Sequence, residues 1–137
     1  MQNISCLVID DDQDDREFFE IALESLNIPY LFTGAENGIA ALEILKSDIQ
    51  LFDYIFLDLN MPLLNGKEFL EEVKNIPGTE NIPIIIYSTS SYYKDIEETE
   101  NLGATYFISK TTDLDKLASM LSDIFQKKEL PFLLTSQ

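Results

Sequence analysis

Residues 4–12 read ISCLVIDDD, and this stretch decides the fold because a buried apolar run passes directly into three aspartates. Two more apolar runs end in a charge: residues 54–58 read YIFLD, and residues 106–110 read YFISK. In an open parallel sheet, ligands and chemistry collect at the carboxyl ends of the strands. If these three strands are neighbours, the sequence predicts one pocket that holds several carboxylates and one ammonium group.

Short apolar runs alternate with helical stretches along the chain. The expected strands are residues 4–9, 30–33, 54–57, 84–87 and 106–109, and the expected helices are residues 14–26, 37–45, 67–75, 91–102 and 113–126. Strands joined by helical crossovers pair in parallel, and right-handed crossovers place helices on both faces of the sheet. The sequence therefore predicts an α/β fold with a (βα)5, doubly wound, five-stranded parallel sheet.

Helix ends and helix faces also have signals in the sequence. Asn37 is suited to cap the second helix, and Gly103 to end the fourth in a left-handed conformation. Helical spacing predicts which apolar residues of the first two helices form their apolar sides. These residues are Phe18, Ile21, Ala22 and Leu26 in the first helix, and Ile39, Ala40, Leu42 and Leu45 in the second.

The charge balance excludes several classes of partner. The chain has 137 residues, with 25 acidic and 9 basic side chains and a net charge of −16. Nucleic-acid binding needs clustered Lys and Arg that displace counterions, so we expect no nucleic-acid partner. The same charge disfavours an anionic membrane surface, and no run approaches the roughly 20 apolar residues of a membrane helix.

The missing residue types narrow the chemistry further. The sequence contains no histidine and no tryptophan. A Ser-His-Asp hydrolase, a His-ligated zinc site and a phosphohistidine carrier are therefore excluded. A single cysteine, Cys6, allows no intramolecular disulfide. With no signal-peptide pattern at the N-terminus, these features predict a cytoplasmic protein.

The strand-end charges predict a metal and a phosphoryl group. Asp10, Asp11 and Asp58 would repel one another by about 4 kcal/mol for each pair at ~4 Å. A hard divalent cation with oxygen ligands, such as Mg²⁺, offsets that repulsion. An aspartyl carboxylate such as Asp58 can then attack phosphorus and form an acyl phosphate. Lys110 and the hydroxyl of Ser88 are placed to contact the phosphoryl oxygens.

The chain resembles the receiver domains of two-component response regulators, of the chemotaxis-regulator-like class. The resemblance covers about residues 4–127 and rests on four motifs that occur in order at receiver-like spacing. The motifs are LVIDDD at 7–12, DYIFLDLNMP at 53–62 followed by Asn65-Gly66, PIIIYS at 83–88, and GATYFISK at 103–110. It implies a flavodoxin-like fold with strand order 2-1-3-4-5.

The resemblance also implies roles for the residues at the strand ends. Asp58 matches the phosphoacceptor. Asp11 matches the direct ligand of Mg²⁺, or of Mn²⁺ in its place, and Asp10 the acid that acts largely through water. The backbone carbonyl of Asn60 matches the remaining protein ligand. Asp12 is more variable in such domains, and we expect it to cap the first helix.

Three further positions match the family's phosphoryl-contact and switch residues. Ser88 and Phe107 match the switch pair of a hydroxyl and an aromatic residue, with Thr89 as an alternative hydroxyl. Lys110 matches the family's lysine. One departure is Thr111, which stands where the family usually has a proline after a cis bond. Because a non-proline cis bond costs about 2.5–4 kcal/mol, we expect a trans bond here.

The resemblance implies a signalling switch rather than an enzyme. Phosphorylation by a histidine kinase or a histidine phosphotransfer protein would reshape the surface of helix 4, strand 5 and helix 5. That surface would bind a downstream protein or a second copy of the chain. We expect residues 1–127 to form the receiver domain, and residues 128–137 to be a short tail without an output domain.

Three other functions compete with this one. A flavodoxin-like cofactor binder needs a hydroxyl- and glycine-rich loop after strand 1, where this chain has DDDQDD at 10–15. An aspartyl phosphatase needs an acid at the position of Asn60. The alternative within the family is a degenerate receiver that acts as a phosphorylation-independent scaffold, and the intact acidic positions disfavour it.

Overall fold

The computed structural model describes residues 3–47 and 52–135, and within them one sheet of six parallel strands. The strands are β1 (Ile4–Ile9), β2 (Tyr30–Ala35), β3 (Tyr54–Leu57), β4 (Ile84–Ser88), β5 (Tyr106–Ser109) and β6 (Leu133–Leu134). The helices are α1 (Gln13–Glu24), α2 (Gly38–Ser47), α3 (Gly66–Val73), α4 (Tyr93–Asn101) and α5 (Leu114–Phe125). The strand order is β2-β1-β3-β4-β5-β6, which confirms the predicted fold and adds a sixth strand.

The sheet lies between two apolar cores. Alternate residues of a strand point to opposite faces, so Leu7 and Ile9 pack on one side while Cys6 and Val8 pack on the other. The first side is covered by α2, α3 and α4, and the second by α1 and α5. This arrangement confirms the doubly wound layout. None of the helices in the described part of the chain is long and apolar enough to cross a membrane.

The helix ends follow the sequence signals. Asp12 caps α1, where its Oδ1 accepts hydrogen bonds from the amides of Asp14 at 2.8 Å and Asp15 at 3.2 Å. The Asn37 Oδ1 accepts a hydrogen bond of 2.8 Å from the amide of Ala40 at the start of α2. Gly103 follows α4 with a φ of +105°, a left-handed conformation that favours glycine. All three end signals are confirmed.

The apolar face of α1 agrees with the expected one in part, since Ala22 is buried and Phe18 and Leu26 are partly buried against the second core. Phe19, Ala22 and Leu23 are the buried residues, whereas Ile21 is 50% exposed. Adjacent apolar residues fit two helical stripes about 100° apart, and periodicity alone does not choose between them. Packing against the sheet decides which stripe is buried, because the centroids of the Phe19 and Phe56 rings lie 4.6 Å apart.

In α2 the expectation was partly wrong for the same reason. Leu45 is buried as expected, but Ala41 is buried while Ile39 is 46% exposed. Ala40 and Leu42 are partly buried against the first core, so Ile39 is the expected residue that points away from the sheet.

The C-terminal segment adds strand β6. Leu133 and Leu134 pair in parallel with Phe107 and Ile108 of β5. The segment packs on the domain, since Leu134 is only 8% exposed and Phe132 and Leu133 lie against the first core. The sequence does not predict β6, because two paired residues are too short a run to give a strand pattern. Pairing with β6 satisfies backbone groups that β5 would otherwise leave open at the sheet edge.

Candidate functional site

Two of the predicted acids lie side by side at the carboxyl ends of neighbouring strands. Ile9 of β1 pairs with Leu57 of β3, so Asp10 and Asp58 follow at the same level. The amide of Asp58 donates a hydrogen bond of 2.9 Å to the carbonyl of Ile9, which holds the two strand ends together. Carboxylate oxygens of Asp10, Asp11 and Asp58 all lie within 4.8 Å of one another. The parallel register therefore builds the predicted acidic pocket.

Asp58 is a buried carboxylate with one anchored oxygen. It is 7% exposed, and its Oδ1 accepts a hydrogen bond of 2.8 Å from the amide of Leu59. Burial raises the pKa of Asp58 to about 6, with the nearby Asp10 carboxylate acting in the same direction. Lys110 and the backbone amides of Leu59 and Asn60 oppose that rise in the pKa. Burial therefore makes the charged form of the Asp58 carboxylate energetically unfavourable.

Asp10 lies deepest in the pocket. It is 1% exposed, and burial raises its pKa although Lys110 and the amide of Asp12 act to lower it. Its Oδ1 accepts a hydrogen bond of 3.0 Å from the Asp12 amide, and the Arg16 guanidinium donates to its backbone carbonyl. Asp11, in contrast, is exposed at the mouth of the pocket.

Lys110 supplies the positive charge of the pocket. Its Nζ lies 2.8 Å from Asp10 Oδ2, 2.8 Å from Asp15 Oδ2 and 3.7 Å from Asp58 Oδ2. It also sits 5.1 Å from the centre of the Tyr87 ring, within range of a cation–π contact. Burial acts to lower the pKa of Lys110, but its hydrogen bonds to Asp10 and Asp15 outweigh this and raise it. The ammonium therefore stays charged.

The donor set of the pocket fits a hard divalent cation. Three carboxylates lie within 4.8 Å of one another, and oxygen ligands are the ones that Mg²⁺ and Mn²⁺ prefer. Both oxygens of Asp10 already accept hydrogen bonds, from the Asp12 amide and from Lys110. The exposed Asp11 and the second oxygen of Asp58 are therefore the freest of the ligand groups.

The two predicted switch residues are both fully buried. Ser88 ends β4 at 0% exposure, and its Oγ accepts a hydrogen bond of 3.2 Å from the Ser90 amide. Phe107 is also at 0% exposure, and it pairs in register with Ile86, two residues before Ser88. Because alternate residues share a face, Ser88 and Phe107 lie on the same side of the sheet. The Phe107 ring lies 6.5 Å from that of Phe132 in the C-terminal segment.

The remaining predicted residues lie at the edges of the site. Thr89 is exposed and lines a groove with Asp15, Tyr87 and Lys110. Asn60 is exposed in the loop after β3 and lines a second groove. The bond between Lys110 and Thr111 is trans, as expected, since the described residues contain no cis peptide bond.

Sequence reasoning missed three residues of the site. In the sequence, Asp15 is only one acid of the run DDDQDD at 10–15, and Tyr87 is only part of the expected strand 84–87. Gly66 is part of the Asn65-Gly66 motif, but the sequence does not show that glycine is needed there for steric reasons. A Cβ at Gly66 would lie 2.6 Å from the Asp58 carbonyl oxygen and 2.8 Å from the Leu59 Cα. The start of α3 therefore packs directly against the backbone of Asp58.

The family model for the response regulator receiver domain matches residues 6–122. The chain belongs to the response regulator receiver family. The match begins within β1 and ends within α5, so it includes all the residues of the acidic pocket.

Individual relatives agree with this assignment. The response regulator Rcp1 of Synechocystis sp. is 26% identical over 123 residues, which cover 86% of this chain and 84% of Rcp1. The crystal structure of the phosphorylated cyanobacterial phytochrome response regulator RcpA is similar with a TM-score of 0.82 and 26% identity, covering 95% of this chain and 99% of RcpA.

A longer relative shows the same domain in another setting. A probable cyclic di-GMP phosphodiesterase of Vibrio cholerae is 29% identical over 137 residues, which cover 100% of this chain but only 30% of that protein. The shared part is thus a fraction of the larger protein.

The chain is therefore a response regulator receiver domain of two-component signal transduction. Its pocket of Asp10, Asp11 and Asp58 fits the family's phosphorylation site. The retained acidic cluster does not favour a degenerate, phosphorylation-independent scaffold.

Proposed function

We propose that Asp58 accepts a phosphoryl group from the phosphohistidine of a histidine kinase or a histidine phosphotransfer protein. The observation that carries this proposal is the buried Asp58 carboxylate, which shares one pocket with Asp10, Asp11 and Lys110. The sequence contains no histidine, so the donor histidine lies outside these 137 residues.

The transfer is an in-line displacement at phosphorus. A carboxylate oxygen of Asp58 forms the new P–O bond while the P–N bond of the donor breaks, and the imidazole leaves with the electron pair of that bond. Such a reaction needs mainly positioning and charge neutralisation. The Leu59 amide orients the carboxylate through its 2.8 Å hydrogen bond to Oδ1, which leaves Oδ2 on the side of Lys110.

A divalent cation belongs to this proposal. Asp10, Asp11, Asp58 and the backbone carbonyl of Asn60 would hold Mg²⁺, or Mn²⁺ in its place. When bound, the ion supplies positive charge that neutralises the phosphoryl oxygens. Lys110 contributes a second positive charge from its place between Asp10 and Asp58.

The phosphoryl group then acts as a switch. We propose that the Ser88 hydroxyl, or that of Thr89, moves to contact the new phosphoryl oxygens, and that Phe107 repacks in response. Ser88 and Phe107 lie on one side of the sheet at neighbouring strands, so a change at one alters the packing of the other. The surface of α4, β5 and α5 would change shape and bind a downstream protein or a second copy of the chain.

The location, the domain organisation and the activity of the chain are part of the same proposal. Residues 1–127 would act as a cytoplasmic receiver domain, and residues 128–137 would form a short tail that supplies strand β6 to the edge of the sheet. The chain would work as a signalling switch rather than as an enzyme on other substrates. Residues of α4 are largely acidic at Asp95, Glu97, Glu98 and Glu100, which suits a basic patch on the target.

Phosphorylation with a small donor tests the proposal. The protein is incubated with Mg²⁺ and acetyl phosphate, and intact mass is measured. We expect a gain of one phosphoryl group in the wild type and in the control Asp14→Asn, whose carboxylate is exposed. Asp58→Asn should show no gain. Labelling that persists in Asp58→Asn would falsify the assignment, and an unlabelled wild type would favour the scaffold function.

A further inference from the structure

Lys110 is held by a residue that the phosphorylation mechanism does not use. Its Nζ lies 2.8 Å from Asp15 Oδ2, as close as it lies to Asp10, while Asp58 Oδ2 is 3.7 Å away and beyond hydrogen-bond distance. Asp15 is in the first turn of α1 and lies outside the cluster of Asp10, Asp11 and Asp58. Its hydrogen bond to Lys110 is the contact that connects it to the pocket.

The contacts of Lys110 keep it on the α1 side of the pocket. An ammonium has three donor hydrogens, and two of them are directed to Asp10 and Asp15. The Tyr87 ring lies beneath the same ammonium, at 5.1 Å from its centre. A phosphoryl group on Asp58 must draw Lys110 away from at least one of these partners.

Asp15 is the partner that can release the lysine at low cost. Its side chain is 39% exposed, whereas that of Asp10 is 1% exposed. Water can replace the ammonium at Asp15, but Asp10 would be left as a buried charge without its partner. Partly exposed ion pairs are weak, so this contact is suited to exchange rather than to permanent attachment.

We propose that Asp15 is a positioning residue that competes with the phosphoryl group on Asp58 for Lys110, and thereby weakens the affinity of the pocket for that group. This inference rests on the proposed function of Asp58. In the unphosphorylated protein Asp15 stabilises Lys110 away from Asp58. Because the contact is present in only one of the two states, it shifts the equilibrium between them.

The binding of beryllofluoride, a mimic of the phosphoryl group, measures this competition directly. The full chain is titrated with beryllofluoride at fixed Mg²⁺, and binding is followed by NMR. The matched control for Asp15→Asn is Asp14→Asn, which removes the same charge from the same helical turn at an exposed residue. We expect Asp15→Asn to bind about two- to fivefold more tightly than Asp14→Asn, since a partly exposed ion pair no longer competes.

Two further variants separate positioning from general charge. Asp15→Glu keeps a carboxylate within reach of Lys110 and should return the affinity towards the wild-type value. A double-mutant cycle combines Asp15→Asn with Lys110→Met. If Asp15 acts through the lysine, its substitution should change affinity no more than Asp14→Asn does once Lys110 is replaced. Asp15→Ala is a second neutral variant, and NMR spectra establish that each variant is folded.

The outcomes distinguish this inference from the proposal on which it rests. Equal affinities of Asp15→Asn and Asp14→Asn, with normal binding by the wild type, would overturn the role of Asp15 alone. An equal gain from Asp15→Asn in the Lys110→Met background would do the same. A wild type that fails to bind beryllofluoride would overturn both proposals.

Discussion

The backbone amide of Phe107 donates a hydrogen bond of 2.8 Å to the carbonyl of Phe132. The rings of the two residues also lie 6.5 Å apart. The C-terminal segment thus contacts the buried aromatic residue that we propose as part of the switch. The edge of β5 is covered by β6, so a change in the packing of Phe107 acts on this segment directly.

Removal of residues 131–137 should destabilise the domain and expose the edge of β5. The deletion removes the partly buried Phe132, the buried Leu134 and the hydrogen bond of the Phe107 amide. We expect the free energy of unfolding to fall by about 2–4 kcal/mol, measured by urea denaturation.

Hydrogen exchange locates that effect. The Phe107 amide should lose protection in the truncated chain, whereas the Ile55 amide, which donates to the Pro83 carbonyl at 3.0 Å, should keep more of it. Unchanged protection at Phe107 would contradict the pairing of β6 with β5.

The pKa of Asp58 makes stability depend on pH in a defined direction. Its folded pKa is about 6 instead of the usual 3.8, so between these values the folded state binds more protons than the unfolded state. The contribution of Asp58 to stability is therefore lost as pH rises from about 4 to about 6. At pH 7 without metal, Asp58→Asn should be more stable than the wild type by about 1–3 kcal/mol.

Denaturation at several pH values tests this, with the exposed Glu71→Gln as the control. The difference between Asp58→Asn and the wild type should shrink below pH about 4, where both states of the wild type are protonated. A constant difference in the free energy of unfolding between Asp58→Asn and the wild type across that pH range would show that the pKa of Asp58 is not raised.

Gly66→Ala should damage both stability and phosphorylation. The new Cβ would lie 2.6 Å from the Asp58 carbonyl oxygen, a contact with backbone that cannot move freely. We expect a loss of about 1–3 kcal/mol in the free energy of unfolding, together with slower labelling by acetyl phosphate.

Gly103→Ala is the matched control for that variant. Its φ is +105°, so alanine is strained there, but nothing lies within 4 Å of the added Cβ. It should lose about 1 kcal/mol and keep the labelling rate of the wild type. Normal labelling of Gly66→Ala would contradict a role for the close packing at Asp58.

Mg²⁺ should stabilise the domain through the exposed acid of the pocket. An ion that binds only the folded state adds about 2.7 kcal/mol at one hundred times its Kd. The rise in Tm with Mg²⁺ should be much smaller in Asp11→Asn than in the wild type, because Asp11 is the freest ligand. Asp14→Asn should respond like the wild type, and an equal response of Asp11→Asn would exclude Asp11 as a ligand.

Much of the fold could be read from short, local patterns. The apolar runs before Asp10, Asp58 and Lys110 are long enough to be strands, and the helices between them leave parallel pairing as the outcome. Cap residues such as Asp12 and Asn37 act on amides two or three residues away, so their roles are also local. Helix rotation was not readable, because Phe18 and Phe19 fit the helical period equally well.

The sequence by itself determined the chemistry of the candidate site. It shows which carboxylates and which ammonium group follow the strands, and its motifs indicate the family. Only the tertiary structure decided their partners. In the folded chain, Lys110 contacts Asp15 as well as Asp10. Gly66 packs against the backbone of Asp58, and Phe132 lies beside Phe107. The physical reason is distance along the chain. Strand ends and caps depend on neighbouring residues, whereas these contacts join remote segments that meet only when the sheet and its helices pack.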